Sequence, residues 1–280
     1  MSLIAFVGSV FSPYYAWALR GGQPVNPDNH CALNVALYSR SARRWSMTER
    51  GARHCERDAT QFTIGPSQLR WDGQALVIDI DEIALPLPRR IRGTIRVHAP
   101  RFFNFSTALH RGGLHRWGPL APSARVEVDL THPSQRWSGQ AYLDSNEGDE
   151  PIAHACTEWD WSRSLLPDGS TAVLYDVDPG RPDGQLLALR FTTDGRVEPF
   201  QAPEHRALPK TLWRLDRRMR SEGPVKLAQQ LEDTPFYQRA VLHSRLLGVE
   251  VESFHETLNV PRLVSPVVQA MLPWRMPRRG

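Results

Sequence analysis

The sequence predicts an all-β protein in which antiparallel strands form two domains of the sandwich or barrel kind, with little helix. Three observations lead to this prediction. Short runs of alternating apolar and polar residues dominate the chain, 23 prolines interrupt them, and runs with helical periodicity are scarce. Strand-and-turn units that recur at intervals of roughly ten residues are typical of sandwiches and barrels.

The first half of the chain contains a hairpin followed by three strands. The segment Leu69–Ile83 reads as a hairpin, because the favoured turn Asp72-Gly73 separates two alternating runs. Alternation then predicts strands over Arg89–Ala99, Ala124–Leu130 and Trp137–Ser145.

The second half continues the same pattern. A turn at Asp194-Gly195 indicates a second hairpin. The predicted strand segments are Ser170–Asp178, Gly184–Phe200, Lys210–Arg220 and Gly248–Val260.

The best helix candidate, Pro224–Asp233, is short. The strands fall into two groups on either side of an acidic cluster near residues 148–155. We therefore predict an N-terminal β domain over residues 1–150 and a C-terminal β domain over residues 151–280, the latter ending in a tail that could contact a membrane.

The composition is that of an ordinary globular protein, with 41% hydrophobic and 23% charged residues. The net charge is +4, and among the basic residues only Lys210 and Lys226 are lysine. Because acidic residues are mixed in throughout, we expect no nucleic-acid partner, whereas a surface that touches anionic lipid fits. Three cysteines form no even disulfide framework, so we expect reduced thiols in a cytoplasmic protein.

The N-terminal sequence MSLIAFVGSVFSPYY does not indicate targeting. No positive charges precede it, and Ser9, Ser12 and Pro13 interrupt its apolar run. No stretch of the chain reaches the about 20 apolar residues of a membrane-spanning helix. We expect an unprocessed chain that is soluble or bound peripherally to a membrane.

Metal-binding motifs fail on spacing. In DSNEGDE, Asp144 and Asn146 match an EF-hand loop, but Gly148 occupies the fifth position of the loop, where an acid or Asn is required. The pairs His30-Cys31 and His54-Cys55 could form a zinc site only if both segments bent, since adjacent residues on a strand point to opposite faces. We predict no metal, with a looser calcium site and this zinc site as the less favoured alternatives.

The sequence contains no phosphate loop, dinucleotide motif or nucleophile elbow, so we predict no cofactor. What remains is acid–base chemistry beside aromatic rings. Three pairs of residues, each two positions apart, would share a face of a strand and could line one apolar cavity. These pairs are His115 with Trp117, Tyr142 with Asp144, and Trp159 with Trp161. The alternative is that the aromatic residues belong to the core, with their polar groups satisfied.

The sequence resembles the bacterial acyclic carotenoid 1,2-hydratases, also called hydroxyneurosporene synthases. The matching segments follow the order of the family and cover most of the chain. They are AFVGSVFSPYYAWA, NPDNHCALNVALYS, RWSMTERG, LRWDGQALVIDIDEI, HRWGPLAPSARVEVDL, WSGQAYLDSNEGDEP, WDWSR and LEDTPFYQRAVLHSRLLGVEVESFHETL.

The resemblance implies two lipocalin-like β domains and an enzyme that adds water to the terminal double bond of acyclic carotenoids such as neurosporene and lycopene, without a redox cofactor. It also implies that a His-x-Trp pair and a Tyr-x-Asp pair act in catalysis. These match His115 with Trp117 and Tyr142 with Asp144. We expect Trp159 and Trp161 to contact the substrate.

This chemistry assigns a role to each residue. Asp144 is the expected proton donor, and it must keep its proton near neutral pH, well above its ordinary pKa of about 3.9. Burial would raise that pKa, as would the nearby acids Glu147, Asp149 and Glu150. Trp117 and Tyr142 would stabilise the tertiary carbocation through their ring faces. His115 would either orient Asp144 or take a proton from the attacking water.

The C-terminal segment Val264–Gly280 combines Trp274 with Arg275, Arg278 and Arg279, which suits a membrane interface. The alternative is a packed or frayed tail. We expect a cytoplasmic enzyme bound peripherally to the inner, photosynthetic membrane, and the sequence leaves its oligomeric state open. Two other functions compete with the hydratase, namely a carrier of an apolar ligand and a cyclase or isomerase of another polyene.

Overall fold

The structure of the protein is a computed structural model, which describes residues 1–39 and 42–279. Strands hold 53% of the chain and helices 12%, which confirms the all-β prediction. Nearly all neighbouring strands are antiparallel, the exception being a short parallel pair at the C-terminus. Each sheet of the described residues has two end strands, so none closes into a barrel.

The first eleven strands are β1 (Ser2–Val7), β2 (Cys31–Leu37), β3 (Arg44–Arg50), β4 (Cys55–Arg57), β5 (Gln61–Ile64), β6 (Ser67–Trp71), β7 (Leu76–Ala84), β8 (Arg89–His98), β9 (Thr107–Ala108), β10 (His115–His132) and β11 (Ser134–Gly148).

The other strands are β12 (Glu158–Leu165), β13 (Thr171–Val177), β14 (Gln185–Phe191), β15 (Val197–Pro199), β16 (His205–Ala207), β17 (Arg218–Arg220), β18 (Lys226–Asp233), β19 (Tyr237–Leu246), β20 (Val249–Asn259) and β21 (Arg278–Arg279). The helices are α1 (Pro13–Arg20), α2 (Ile152–Ala155), α3 (Val260–Leu263) and α4 (Pro266–Arg275).

These elements form four sheets. A four-stranded sheet has the order β1-β2-β3-β21, and a larger one runs β11-β10-β8-β7-β6-β5-β4 with β9 beside β10. A seven-stranded sheet has the order β15-β14-β13-β12-β20-β19-β18, and β16 pairs with β17. The neighbours along each sheet are mostly consecutive in sequence, as expected for hairpin connections.

Contacts divide the chain into two compact units. Unit 1 consists of Met1–Ala99, Arg125–Ala141 and Pro266–Gly280, and unit 2 of Pro100–Ala124 and Tyr142–Ser265. The long strands β10 and β11 contribute residues to both units. The division at residues 150 and 151 stays a prediction, because a contact unit is not the same as an independently folding domain.

The hairpin and strand predictions between Leu69 and Ser145 are confirmed by β6, β7, β8, β10 and β11. The turn at Asp194-Gly195 lies between β14 and β15, where Gly195 has φ of 97°. Of the predicted strand Lys210–Arg220, only the last three residues form a strand, β17.

The helix prediction for Pro224–Asp233 is wrong, since Lys226–Asp233 forms strand β18. This strand pairs with β19, and the register shifts between Leu227 and Gln229 and again between Gln230 and Glu232. Each bulge displaces the two-residue alternation by one position. The resulting spacing of apolar residues resembles that of a helix, which explains the error.

None of the four α-helices of the described residues was predicted, and α1 and α4 are the two longer ones. Helix α1 begins after Ser12, whose hydroxyl accepts a hydrogen bond from the Tyr15 amide, and Pro13 occupies its first turn. A serine cap followed by proline is a regular helix start. Helix α4 lies in the C-terminal tail and packs against α1 within unit 1. Among the described residues, no helix has the length and apolar character needed to cross a membrane.

Candidate active site

The His-x-Trp pair lies at the start of β10, within unit 2. Strand alternation turns His115 and Trp117 inward, where they are 6% and 1% exposed, whereas the intervening Arg116 is exposed. The Tyr-x-Asp pair lies near the end of β11. Tyr142 and Asp144 therefore share a face of that strand, as the sequence predicted.

The two pairs are joined by a hydrogen bond. The indole Nε1–H of Trp117 donates to a carboxyl oxygen of Asp144 at 2.9 Å. This bond orients the carboxyl group from a side chain that is itself fixed by burial. The Tyr142 hydroxyl is buried near the same carboxyl group and has no hydrogen-bond partner of good geometry among the described residues.

The pKa of Asp144 is raised to about 6, chiefly because its carboxyl group is removed from water. The residue as a whole keeps partial exposure, but protein atoms surround the carboxyl group, and the surroundings of that group decide its pKa. The hydrogen bond from Trp117 and the positive charge of Arg163 lower the pKa, and the negative charge of Glu256 raises it.

The acidic residue whose charge raises the pKa of Asp144, in addition to burial, is therefore Glu256 on β20 and not a member of the local acidic cluster. Glu147 and Asp149 are exposed, and their charges are screened by water. Glu147, Asp149 and Glu150 are the acids predicted from the sequence, because they are close to Asp144 along the chain. Strand pairing instead places Glu256 opposite Trp161 on the neighbouring strand β12.

Aromatic rings surround this carboxyl group. The Trp117 ring meets those of Phe105, Tyr175 and Phe191 nearly edge to face, with centroids 6.4, 5.7 and 6.3 Å away. The Tyr142 ring lies 5.5 Å from that of Trp161. Such edge-to-face packing fixes the rings in place, so the pairs are at once part of the core and part of a site.

Arg163 adds a cation to the aromatic group. Its guanidinium carbon lies 5.3 Å from the ring centroids of both Tyr142 and Phe254. Arg163 follows Trp161 by two residues on β12 and so shares its face. This face of the seven-stranded sheet therefore carries Trp161 and Arg163 toward the Tyr-x-Asp pair.

Trp159 lies beside His115 and not beside Tyr142. Both side chains line a small apolar cavity of about 10 Å³, together with Leu109, His110, Ile152, Ala155, Cys156 and Val177. Burial and the nearby His110 ring lower the pKa of His115, so this imidazole is neutral at pH 7. A cavity of this size fits one water molecule and is too small for a hydrocarbon chain.

Within the described part of the chain, the one group of potential metal ligands comprises His110, His115 and Glu150, whose ligand atoms lie within 4.8 Å of one another. The two His-Cys pairs of the sequence form no such group. His30 hydrogen-bonds Glu49 at 2.8 Å, and burial raises the pKa of the Cys31 thiol to about 12.

Several residues of the site were not found from the sequence. Phe105, Tyr175, Phe191, Phe254, Arg163 and Glu256 all lie within or close to the aromatic group. Arg163 and Tyr175 stand on strands at the alternating positions that face the site. That signal becomes usable only when the order of the strands in the sheet is known.

Comparison with known proteins assigns the chain to a family. The family model described as Carotenoid hydratase CrtC matches residues 3–280. An acyclic carotenoid 1,2-hydratase from Rubrivivax gelatinosus is 54% identical over all of this chain and 70% of the relative's length. One from Thiocapsa roseopersicina is 50% identical over all of this chain and 69% of that relative.

A third relative of the same name, from Cereibacter sphaeroides, is 35% identical over 99% of this chain and 98% of its own length. No solved structure matches the chain significantly. A family model that spans nearly the whole chain, together with relatives of this similarity, agrees with the resemblance noted from the sequence. The chain therefore belongs to the carotenoid hydratase CrtC family.

Proposed function

We propose that this protein adds water to the terminal C1–C2 double bond of acyclic carotenoids such as neurosporene and lycopene. Membership of the carotenoid hydratase family and the names of the similar proteins support this proposal. The reaction adds the elements of water without net transfer of electrons to a carrier. It therefore needs an acid and a base but no redox cofactor.

The observation that carries the proposal is a carboxyl group, that of Asp144, buried among aromatic rings with its pKa raised to about 6. With a pKa of about 6 this group holds a proton in a minority of molecules at pH 7, and that form can deliver the proton to carbon. The proton adds to C2 of the substrate, and the positive charge develops on the tertiary carbon C1. Water then attacks C1 and loses a proton, and the Asp144 carboxylate regains one from solvent.

The aromatic rings support the charged stage of this reaction. The faces of Tyr142 and Trp117 would stabilise the carbocation by about 0.5–2 kcal/mol each in a dry site. General acid catalysis by Asp144 would add roughly 10²–10⁴-fold in rate. Trp117 has a second role as the donor that holds the Asp144 carboxyl group.

His115 suits the role of base more than that of a residue that orients Asp144. Trp117 supplies the hydrogen bond to Asp144, and His115 is neutral because burial lowers its pKa. A neutral imidazole can accept a proton from water. Of the two residues expected to contact the substrate, Trp161 lies beside Tyr142 and Trp159 beside His115.

The test uses lycopene and neurosporene with product analysis by mass. We expect the unmodified protein to yield products heavier than the substrate by one or two waters, and Asp144→Asn to yield none while remaining folded. Asp149→Asn, which removes an exposed acid of the same segment, is the matched control and should keep full activity. Full activity in Asp144→Asn would eliminate Asp144 as the proton donor.

The competing functions predict other results in the same assay. A carrier would return unchanged substrate, and a cyclase or isomerase would give a product of unchanged mass. The family match and the similar proteins do not favour either alternative.

We also propose that the enzyme meets its substrate at a membrane surface, peripherally and on the cytoplasmic side of the inner membrane. The support is helix α4, on which Val267, Met271 and Trp274 are 70%, 47% and 78% exposed. Their spacing of four and three residues places them on one face of the helix. An acyclic carotenoid is a lipid-soluble hydrocarbon, so docking on a bilayer would bring enzyme and substrate together.

A further inference from the structure

We propose that Arg163 is a positioning residue of the reaction: its guanidinium group is the positive charge that stabilises the Asp144 carboxylate once the proton has left it. The inference rests on the proposed hydratase function and adds a residue to it. Arg163 belongs to neither the His-x-Trp pair nor the Tyr-x-Asp pair. It acts on the substrate only through Asp144 and transfers no proton itself.

Two guanidinium groups lie over the ring of Phe254. The guanidinium carbon of Arg163 lies 5.3 Å from the centroid of that ring, and that of Arg239 lies 5.5 Å from it. Arg163 also lies over the Tyr142 ring, at 5.3 Å. Arg239 lies in the same way over the Tyr237 ring, at 5.2 Å. The face of an aromatic ring attracts a cation, so each guanidinium group is held by two rings.

Strand pairing sets the position of Arg163. On β12 it stands directly opposite Phe254 of β20. Trp161, two residues earlier on β12, shares its face, and the Trp161 ring lies 5.5 Å from that of Tyr142 and 6.5 Å from that of Phe254. The guanidinium group is therefore fixed by aromatic neighbours beside Tyr142, two residues before Asp144 on β11.

The two guanidinium groups differ in their acidic partners. Arg239 forms ion pairs with Glu232 at 2.7 Å and with Glu256 at 2.8 Å. Arg163 forms no ion pair within residues 1–39 and 42–279. A charge that is removed from water is costly unless it is paired. The charge of Arg163 is not neutralised by a permanent partner, so it is available to a carboxylate that ionises nearby.

The Asp144 carboxyl group is in a position to be that partner. Burial lowers the pKa of the Arg163 guanidinium group, and the negative charge of ionised Asp144 opposes this effect. In return, burial raises the pKa of Asp144 to about 6, and the positive charge of Arg163 opposes that effect. An arginine keeps its proton in proteins, so Arg163 is a constant positive charge while Asp144 gains and loses its own.

The remaining groups that interact electrostatically with Arg163 or Asp144 share one property, which is that none of them is a cation. They are Trp117 on β10, Tyr142 on β11, Tyr175 on β13, and Glu252 and Glu256 on β20. Tyr142 and Tyr175 keep their protons, because burial raises the pKa of each hydroxyl group. The positive charge beside Asp144 therefore comes from Arg163.

This arrangement suits the charge that develops in the reaction. When the proton moves from Asp144 to carbon, the neutral carboxyl group becomes a carboxylate and the substrate becomes a carbocation. A fixed positive charge beside the new carboxylate stabilises this state and needs no reorganisation at the moment of reaction. Arg163 makes Asp144 a stronger acid, whereas burial and Glu256 make it a weaker one.

The first measurement is the titration of Asp144 itself, by ¹³C NMR of protein labelled at its aspartate carboxyl carbons. The Asp144 signal is the one that disappears in Asp144→Asn. We expect Arg163→Gln to move the midpoint of this titration to higher pH by about one unit, since loss of a nearby opposite charge disfavours the carboxylate. Arg163→Lys keeps the charge and should leave the midpoint nearly in place.

The second measurement is the pH profile of carotenoid hydration. Arg163→Gln should carry the fall of kcat/KM at high pH to higher pH and lower its maximum several-fold, because Asp144 becomes a weaker acid. A residue that matters only for packing would lower the activity without moving this fall. Arg163→Lys should keep both the position of the fall and most of the activity.

Arg116→Gln is the matched control. Arg116 stands between His115 and Trp117 but is exposed, so water screens its charge, and its loss should change neither measurement. If circular dichroism shows that Arg163→Gln does not fold, Arg163→Met takes its place, because methionine keeps an apolar stem over the two rings.

Two results would overturn the inference. In the first, loss of the Arg163 charge leaves the titration midpoint and the pH profile as they are in the unmodified protein. In the second, Arg163→Lys moves both as far as Arg163→Gln does, which would assign the effect to packing and not to charge. Failure of the hydratase proposal looks different: the unmodified protein would form no hydrated product, while the NMR titration would still measure the effect of Arg163 on Asp144.

Discussion

At the scale of single residues, Asp144 must satisfy two opposing requirements. As the proposed proton donor, it must take up a proton at working pH and then give that proton to a carbon atom, which is a weak base. Removal from water and the charge of Glu256 favour the protonated form, and Trp117 and Arg163 favour the ionised form. The balance places its pKa at about 6, where the group is still a usable acid near neutral pH.

This balance predicts the pH dependence of the reaction. Because the proposed reaction needs protonated Asp144 as the acid and neutral His115 as the base, kcat/KM should fall as pH rises through about 6. It should also fall at low pH, where His115 takes up a proton. Glu256→Gln removes a negative charge that raises the pKa, so the decline should move to lower pH. A rate profile from pH 4.5 to about 9 measures this.

The matched control for charge removal is Glu147→Gln. Glu147 is exposed at the end of β11 and close to Asp144 in sequence. Its substitution should leave the profile in place. If the pH profile shifts in Glu147→Gln and not in Glu256→Gln, the local acidic cluster and not Glu256 raises the pKa of Asp144.

At the scale of elements, the alternation of β10 and β11 places the His-x-Trp and Tyr-x-Asp pairs, and the end of β11 positions His115. A Cβ atom added at Gly148 would lie 2.5 Å from Cε1 and Nδ1 of the His115 ring. Only glycine allows the strand to pass this close to the imidazole. The same glycine is the residue that disqualifies the segment as a calcium loop.

We therefore expect Gly148→Ala to displace the His115 ring and lower kcat by about tenfold or more, with the far-ultraviolet circular dichroism unchanged. The comparison is Gly139→Ala on the same strand, where an added Cβ would meet only the Trp137 ring at 3.8 Å. That variant should keep its activity. Equal kcat values in both variants would show that the close approach to His115 is unimportant for catalysis.

At the scale of the whole molecule, the C-terminal tail is a folded part of unit 1 and not a frayed end. Helix α4 buries Val268, Gln269 and Leu272, and β21 pairs with β3. Two of the terminal arginines are engaged within the unit: Arg275 stacks over the Trp45 ring at 4.7 Å and Arg278 forms an ion pair with Glu49. The last residue, Gly280, lies outside the described residues. The apolar face of α4, more than the arginines, is then the part of the tail that is available to lipid.

We expect the double variant Val267→Gln with Trp274→Gln to bind vesicles of phosphatidylethanolamine and phosphatidylglycerol several-fold more weakly than the unmodified protein. The physical reason is the loss of two exposed apolar side chains that would otherwise enter the interface. Vesicle flotation measures the bound fraction. Leu87→Gln, which changes a leucine that is 66% exposed elsewhere in unit 1, is the control. Equal flotation of all three proteins would rule out α4 as the docking face.

The class of fold and most strands could be predicted from the sequence, and the sequence also singled out the His-x-Trp and Tyr-x-Asp pairs, whose catalytic roles are proposed. Alternation and turn residues are local properties, so β7, β8 and β20 could be read directly. Resemblance then identified the family. Strand β18 could not be predicted from the sequence, because two bulges disturb its alternation. Helix α1 could not be predicted either, because Ser12 and Pro13, which start the helix, look in the sequence like an interruption of an apolar run.

Only the tertiary structure decided how the site is assembled. Trp117 and Asp144 are hydrogen-bonded across two strands, and Glu256 and Arg163 come from the neighbouring sheet. His110 lies beside His115 because of a loop conformation in which the backbone N–H of Gly112 donates a hydrogen bond to the His110 ring. The physical reason is that burial and charge act through space. A pKa depends on which atoms surround a group, and strand pairing, which connects distant parts of the chain, determines those atoms.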